Sequence, residues 1–505
     1  MTTPKKEGRL PLEIIEFFNQ PGGHSLIVKG PAGTGKTTFA LQLTEELGEV
    51  AASHYLSARV SDESLFNQFA WLRERLKPSG LQTGLKPSAG GTKVTRSALD
   101  QLEGNIEKGE ESDEERPADE GTSGADVRDG FIDITLGYDL PEIEAAYDFV
   151  NERLPSRSLA LIDSIDALAE HYGITASKLI NVLQRDLVEG SKQNVVYVLE
   201  GSGETRLDYL GDGVLSLAST EHEGRRLRVM TIEKLRGQQV RQHRYLYTLD
   251  AGRLTAFKIP LRSKTGKPQR WRPIPDPSKE ALSTGMAALD SLIGGFVPGR
   301  VLAFVIANDV PSDYVDALRT SMISNFVALG RGVAHVPPRK GTVDYLREIA
   351  VPYLDPVAFD AHVRVFETAS LGGAEQSPNA LPLEGHQPET DLKWSNVEYR
   401  LPHSGRPFLA LMAFDTLESV YGEKVLEQMP GVLASVRRAR DVFVGFATPK
   451  SVSAPKLSNL ASVVLHVDSI QGSVVVYGEK PYTGLYSLSF DHGSGVPQAQ
   501  LVPIV

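Results

Sequence analysis

The chain contains no cysteine. That excludes disulfide scaffolds, thiolate metal sites and cysteine nucleophiles, and it suits a cytoplasmic protein. It also lacks any apolar run of the roughly 18 residues a membrane-spanning helix needs. The longest candidates, Val301–Ala307 and Ala461–Val467, are strand-sized. Met1–Leu10 is mostly polar, without the apolar core of a signal peptide. Positive charge is in deficit, with 53 Lys+Arg against 64 Asp+Glu and a net charge of −11. This balance argues against a protein that coats nucleic acid. No histidines stand at metal-ligand spacing and no Ser/His/Asp arrangement is legible; His54, His171 and His243 are scattered.

What is present suits two or three globular domains: 505 residues, 41% hydrophobic and 23% charged. The charge is uneven. Residues 101–130 hold eleven Asp/Glu against Lys108, Arg116 and Arg128. The surrounding stretch, about 77–130, is too poor in large apolar residues to offset its ordering entropy. It reads as a disordered acidic insertion, either a solvated loop or an acidic segment for a protein partner. A basic, proline-rich stretch at 261–280 carries Arg262, Lys264, Lys267, Arg270 and Arg272 and reads as a linker. Residues 372–392 read as a long polar loop. Elsewhere short β-branched runs alternate with helical patterns. Strands are predicted at 25–29, 53–59, 158–163 and 194–200, and helices at 37–47, 63–76 and 176–189. Such alternation predicts an α/β fold with a mainly parallel sheet flanked by helices. Three further strands, near 213–218, 225–234 and 242–249, read as a meander.

Gly30-Pro31-Ala32-Gly33-Thr34-Gly35-Lys36-Thr37 fits the phosphate-loop pattern. Glycines let backbone N–H groups approach a phosphate chain, and the following helix adds its positive end. Lys36 supplies a mobile ammonium for the β/γ-phosphates, and the Thr37 hydroxyl a hard oxygen ligand for Mg²⁺. These eight residues and Thr38 are the candidate nucleotide-binding set, with ATP and Mg²⁺ as the ligands. A nucleotide–metal site needs a carboxylate on a neighbouring strand end. Asp163, closing Leu159-Ala-Leu-Ile, supplies it. Lys36 and Asp163 are the candidate catalytic residues, and Thr37 and Asp163 the candidate Mg²⁺ ligands.

Asp163-Ser164 at a strand end resembles the RecA/KaiC branch of phosphate-loop ATPases. So do Tyr209-Leu-Gly-Asp-Gly-Val-Leu, the arginine-rich run Glu223–Met230 and the turn Lys234-Leu-Arg236-Gly237. The resemblance covers most of residues 10–260 apart from the insertion. It implies that Lys234 and Arg236 reach the nucleotide of a neighbouring subunit, and hence a homo-oligomer; the alternative is a basic hairpin tip on the surface. One feature departs from the family. Where KaiC-like domains carry paired glutamates that activate water, this chain has Arg59 and Val60. Loss of such a base costs about 10²–10⁴ in rate. Asp62 or Glu63 would need a shifted strand end to replace them. The Ala58-Arg59-Val60-Ser61 strand is similar to the archaeal gas vesicle protein D group, which implies a nucleotide-dependent regulator.

The second half, 281–505, repeats the first. Leu282-Ser-Thr284-Gly285 and Leu289-Asp290 resemble the opening of KaiC-like domains, and Val301–Ile306 stands where a strand precedes the loop. The loop itself is absent: Ala307–Tyr314 lacks the glycine pair and the lysine, and carries Asp309 and Asp313. Phe408–Thr416, with Asp415, mirrors the Asp163 strand. Glu479–Gly484 mirrors Glu233–Gly237, with Pro481 and Thr483 breaking the Lys-x-Arg pattern. Arg437, Arg438 and Arg440 read as a solvated helix face. The expectation is two tandem RecA-like domains, 1–260 and 281–505, the second without a phosphate loop. The function expected is an ATP-binding regulator with one competent site and slow hydrolysis, acting on a protein partner, with no membrane association. The alternative is a DNA-associated ATPase of the recombination-accessory type.

Overall fold

The computed structural model describes residues 8–47, 52–57, 67–75, 141–201, 207–259, 267–338, 341–368, 377–402, 404 and 406–505. The acidic insertion and the segment Ala58–Glu63 lie outside these residues. The chain divides into two compact units. The first holds residues up to Thr220 and Arg228–Ala256; the second holds Glu221–Leu227 and Phe257–Val505.

The strands of the first sheet are β1 (Ser25–Lys29), β2 (Ala52–Ser57), β3 (Ser158–Asp163), β4 (Asn194–Leu199), β5 (Gly213–His222), β6 (Arg225–Leu235), β7 (Arg244–Thr248) and β8 (Thr255–Ala256). They form one sheet in the order β2-β3-β4-β1-β5-β6-β7-β8. β2, β3, β4, β1 and β5 run parallel, while β6, β7 and β8 are antiparallel. Strand residues alternate between two cores, as a sheet covered on both faces requires. Ile27, Ile162, Tyr197 and Val214 face the helices at Pro141–Asn151, Ile165–His171 and Ala176–Leu183. Leu26, Val28, Leu161 and Leu215 face Leu12–Asn19 and Lys36–Leu47. The β5–β6 turn is Glu223-Gly224, with φ of 49° and 69°. Two successive positive φ values give a two-residue turn whose twist matches the strands.

The second unit contains β9 (Val301–Ile306), β10 (Val333–Val336), β11 (Val363–Thr368), β12 (Ala380–Leu383), β13 (Leu409–Ala413), β14 (Val442–Ala447), β15 (Val463–Ile470), β16 (Ser473–Lys480), β17 (Tyr486–Asp491) and β18 (Gln498–Pro503). Their order is β12-β11-β10-β13-β14-β9-β15-β16-β17-β18. With β11 and β12 set aside, this is the strand order of the first sheet, strand for strand. The ladders agree as well. Leu159 faces Asn194 and Ser25 faces Val195 in the first sheet; Leu409 faces Val442 and Val301 faces Phe443 in the second. The turn Gln471-Gly472, again with positive φ at both residues, joins β15 and β16.

Three local readings change. By ladder register the counterpart of Asp163 is Ala413, buried at the end of β13. Asp415 stands two residues further on, inside the helix Phe414–Tyr421. The stretch 372–392 is not all loop: it contains the edge strand β12 and the helical turn Pro388–Asp391. Its polar residues build structure, since buried Asn379 donates to Val363 O (2.8 Å) and Asp360 O (3.2 Å). Residues 267–280, within the stretch read as a linker, are held on the second unit. Trp271 is buried and donates to Asn325 Oδ1 (3.1 Å), and Asp276 pairs with Arg331 (2.5 Å). The Thr-Gly and Leu-Asp pairs also gain a reason. The Asp290 carboxylate accepts from Ser283 Oγ and Thr284 N, and a Cβ on Gly285 would lie 2.3 Å from Ser321 O. Among the described residues, no helix is long and apolar enough to cross a membrane.

Candidate nucleotide-binding site

The buried strand β1 ends at Lys29, and the helix Lys36–Leu47 begins seven residues later. The loop between them needs its glycines. A Cβ on Gly30 would sit 2.3 Å from Leu217 O, and one on Gly35, at φ 92°, 2.7 Å from a Leu249 methyl. The loop carbonyls are occupied from within the unit. Gly33 O accepts from Arg228 Nη1 (3.0 Å), Thr34 O from the Tyr247 hydroxyl (2.6 Å), and Pro31 O from the Thr34 hydroxyl (2.8 Å). Burial pushes the Tyr247 phenol up to about 12, against the opposing charge of Arg228, so it stays a donor. Thr34 and Thr38 are buried; the Thr34 hydroxyl turns inward.

Lys36 is buried too. Its ammonium donates to Gly30 O (2.7 Å) and Pro31 O (3.0 Å) and pairs with Glu200 Oε2 (3.4 Å). The Thr37 hydroxyl donates to Asp163 Oδ2 (2.6 Å), which also accepts from the Tyr55 hydroxyl on β2 (2.8 Å). A hydroxyl and a carboxylate in contact beside a glycine-lined loop are a hard-oxygen donor set, and they fit a Mg²⁺–phosphate ligand. Thr37 and Asp163, predicted from separate segments, are thus in contact, and Lys36 precedes Thr37 on the same helix.

Lys234 and Arg236 lie elsewhere. Lys234 Nζ donates to Gly211 O (2.6 Å), and Arg236 pairs with Asp212 (2.9 Å). Burial, then the Arg236 charge, holds the Lys234 ammonium below its ordinary pKa.

Sequence reasoning passed over several groups. Glu200 follows the apolar run Val195–Leu199; the rule that selected Asp163, an acid closing an apolar strand, selects it equally. Asp166, at the start of the helix Ile165–His171, accepts from Glu200 N (2.6 Å) and fixes the end of β4. Lys29, 2% exposed, pairs with Asp208 (2.7 Å) and Glu233 (3.0 Å). Burial opposes its charge, but the two carboxylates together raise its pKa. Tyr55 carries no motif and could be found only from the fold.

Two family models match the chain. The phosphate-loop domain of the GvpD gas vesicle protein matches residues 14–233, and GvpD basic region 2 matches residues 270–505. This chain is a phosphate-loop protein related to gas vesicle protein D. Protein GvpD2 of Halobacterium salinarum is 25% identical over 530 residues, spanning 99% of this chain and 98% of its own length. Protein GvpD1 of the same organism is 21% identical over 567 residues, spanning 98% and 96%. The GvpD phosphate-loop match takes in Gly30–Thr37, Asp163 and Glu200. Lys234 and Arg236 lie just beyond it.

Proposed function

We propose that this chain is an ATP-binding regulator built from two tandem RecA/KaiC-like domains, with one competent nucleotide site per chain and slow hydrolysis. The observation that carries the reading is the cluster of Lys36, Thr37 and Asp163 at a loop where a Cβ on Gly30 or Gly35 would meet a neighbour within 3 Å. In it, Gly30–Thr38 hold the phosphates, Lys36 neutralises them, and Thr37 and Asp163 hold Mg²⁺. The ion supplies charge that offsets the phosphate anions. The shared strand order of the two sheets supports the tandem reading. In the second unit β9 runs on to Ile306, the counterpart of Gly30, and a tight turn follows. Val310 N bonds to Ala307 O (3.2 Å), and the Val310 side chain fills the core. That turn leaves no phosphate cradle, and exposed Asp309 and Asp313 would repel an anion. We assign the regulated process to gas vesicles, from the description of the related family, and the target to a protein partner.

Calorimetric titration of the full chain with Mg·ATP tests the reading. One ATP per chain is expected, and Lys36→Ala should abolish binding. Binding that survives this substitution, or two sites per chain, overturns it.

A further inference from the structure

We propose that Glu200 takes the proton from the water that attacks the terminal phosphate of a bound nucleoside triphosphate. The proposal rests on the reading of Gly30–Thr37 as a triphosphate site. It supplies the base that Arg59 and Val60 cannot.

The topology sets the position. β4 lies between β1, which leads into the loop, and β3, which ends at Asp163. Glu200 is the first residue past β4 and so emerges between the two. Its backbone is fixed by the Asp166 carboxylate at 2.6 Å. Its Oε2 stands 3.4 Å from the Lys36 ammonium, and the side chain keeps 32% of its surface open to water, against 6% for Lys36. The other acids near the site have different work. Asp163 Oδ2 is shared by Thr37 and Tyr55, and Asp208 and Glu233 hold Lys29.

The electrostatics decide what Glu200 does there. Lys36 must leave Gly30 O and Pro31 O to meet phosphate. With the Lys36 ammonium drawn to the terminal phosphate, Glu200, its partner at 3.4 Å in this structure, faces that anion with like charge, and the two repel. A water between the two anions relieves the repulsion by donating to both. That water stands at hydrogen-bond reach of a base, the geometry that general-base catalysis requires. Its oxygen bonds to the terminal phosphorus as the bond to the bridging oxygen breaks. The leaving diphosphate keeps that electron pair. The proton passes to the Glu200 carboxylate and then to the released phosphate.

The test uses the full chain, with Mg·ATP binding by calorimetry and single-turnover release of labelled phosphate. Glu200→Gln should bind ATP as the parent does while its turnover falls about 10²-fold. Glu200→Asp keeps a carboxylate one methylene short and should fall between them. Asp62→Asn with Glu63→Gln should leave the rate near that of the parent. An unchanged rate in Glu200→Gln overturns the proposal, whether or not ATP then binds tighter, because Glu200 is then only a counter-ion for Lys36. ATP binding by the parent with no phosphate release overturns it as well. Failure of the parent to bind ATP removes the site reading itself, a result distinct from the others.

Discussion

His335 is a titratable side chain of the second unit held without access to water. It is fully buried on β10. Nδ1–H donates to Leu411 O (3.1 Å), and Nε2 faces Arg319 Nη1 (3.4 Å). Burial first, and the Arg319 charge second, push its pKa down to about 3. The folded state therefore holds the neutral ring, whereas an unfolded histidine titrates near 6.5. Between about pH 6.5 and pH 3 the unfolded chain binds the extra proton. The stability contributed by the neutral ring is complete above 6.5 and is lost as pH falls, at up to about 1.4 kcal/mol per pH unit. Asparagine can keep a donor toward Leu411 O but cannot titrate. His335→Asn should lower stability at pH 7, through lost packing, yet flatten the acid limb. Urea midpoints of both proteins from pH 7 to pH 4 check this; parallel slopes would show that His335 does not set that limb.

At the scale of elements, β11 and β12 are what the second sheet adds to the order of the first. β12 is an edge strand held by few groups: Leu381 and Leu383 are buried, and Asn379 bonds across to the carbonyls of Asp360 and Val363. Asn379→Ala would remove both of these hydrogen bonds, at about 0.5–1.5 kcal/mol each, while Arg364 Nη1 still donates to the two carbonyls (2.8 and 2.7 Å). A melting temperature lowered by several degrees is expected, with ATP binding in the first unit unchanged. A loss of ATP binding would contradict the assignment of the site to the first unit. β12 also shows why parts of the fold were illegible. Composition marked 372–392 as polar, but Asn379 and Asp391 are polar because they cap and bridge backbone. The phosphate loop was legible because its chemistry forces residue types at fixed spacing. Asp415 was misplaced because sequence offers motifs where a sheet offers ladders, and the ladder puts Ala413 opposite Phe446 as Asp163 is opposite Val198. Glu200 carried the same signal as Asp163 but lacked a motif beside it to raise its weight.

At the scale of the whole molecule, the single site proposed per chain leaves open how that site is completed, and Lys234 and Arg236 bear on that. The second unit has Pro481 and Thr483 in the corresponding turn, so it is a poor donor of basic groups. We predict ATP-promoted self-association, with this turn of one chain meeting the nucleotide of the next. Such a head-to-tail contact closes into a ring or continues as a filament. The two residues are not equally available. Arg236 keeps 65% of its side chain exposed, and its pair with Asp212 is of the surface kind, worth about 0–1 kcal/mol. Lys234 is committed to Gly211 O and is half-buried, so releasing it strands a carbonyl of its own chain. Arg236 is then the inexpensive group to redeploy, and Lys234 the one whose loss also disturbs the Gly211–Asp212 bend. Arg236→Ala should abolish the ATP-dependent rise in light scattering while leaving both ATP affinity and melting temperature near the parent values. Lys234→Ala should reduce the rise and lower the melting temperature together. If the parent chain scatters alike with and without Mg·ATP, both residues are hairpin structure within one chain, and the site is completed without a neighbour.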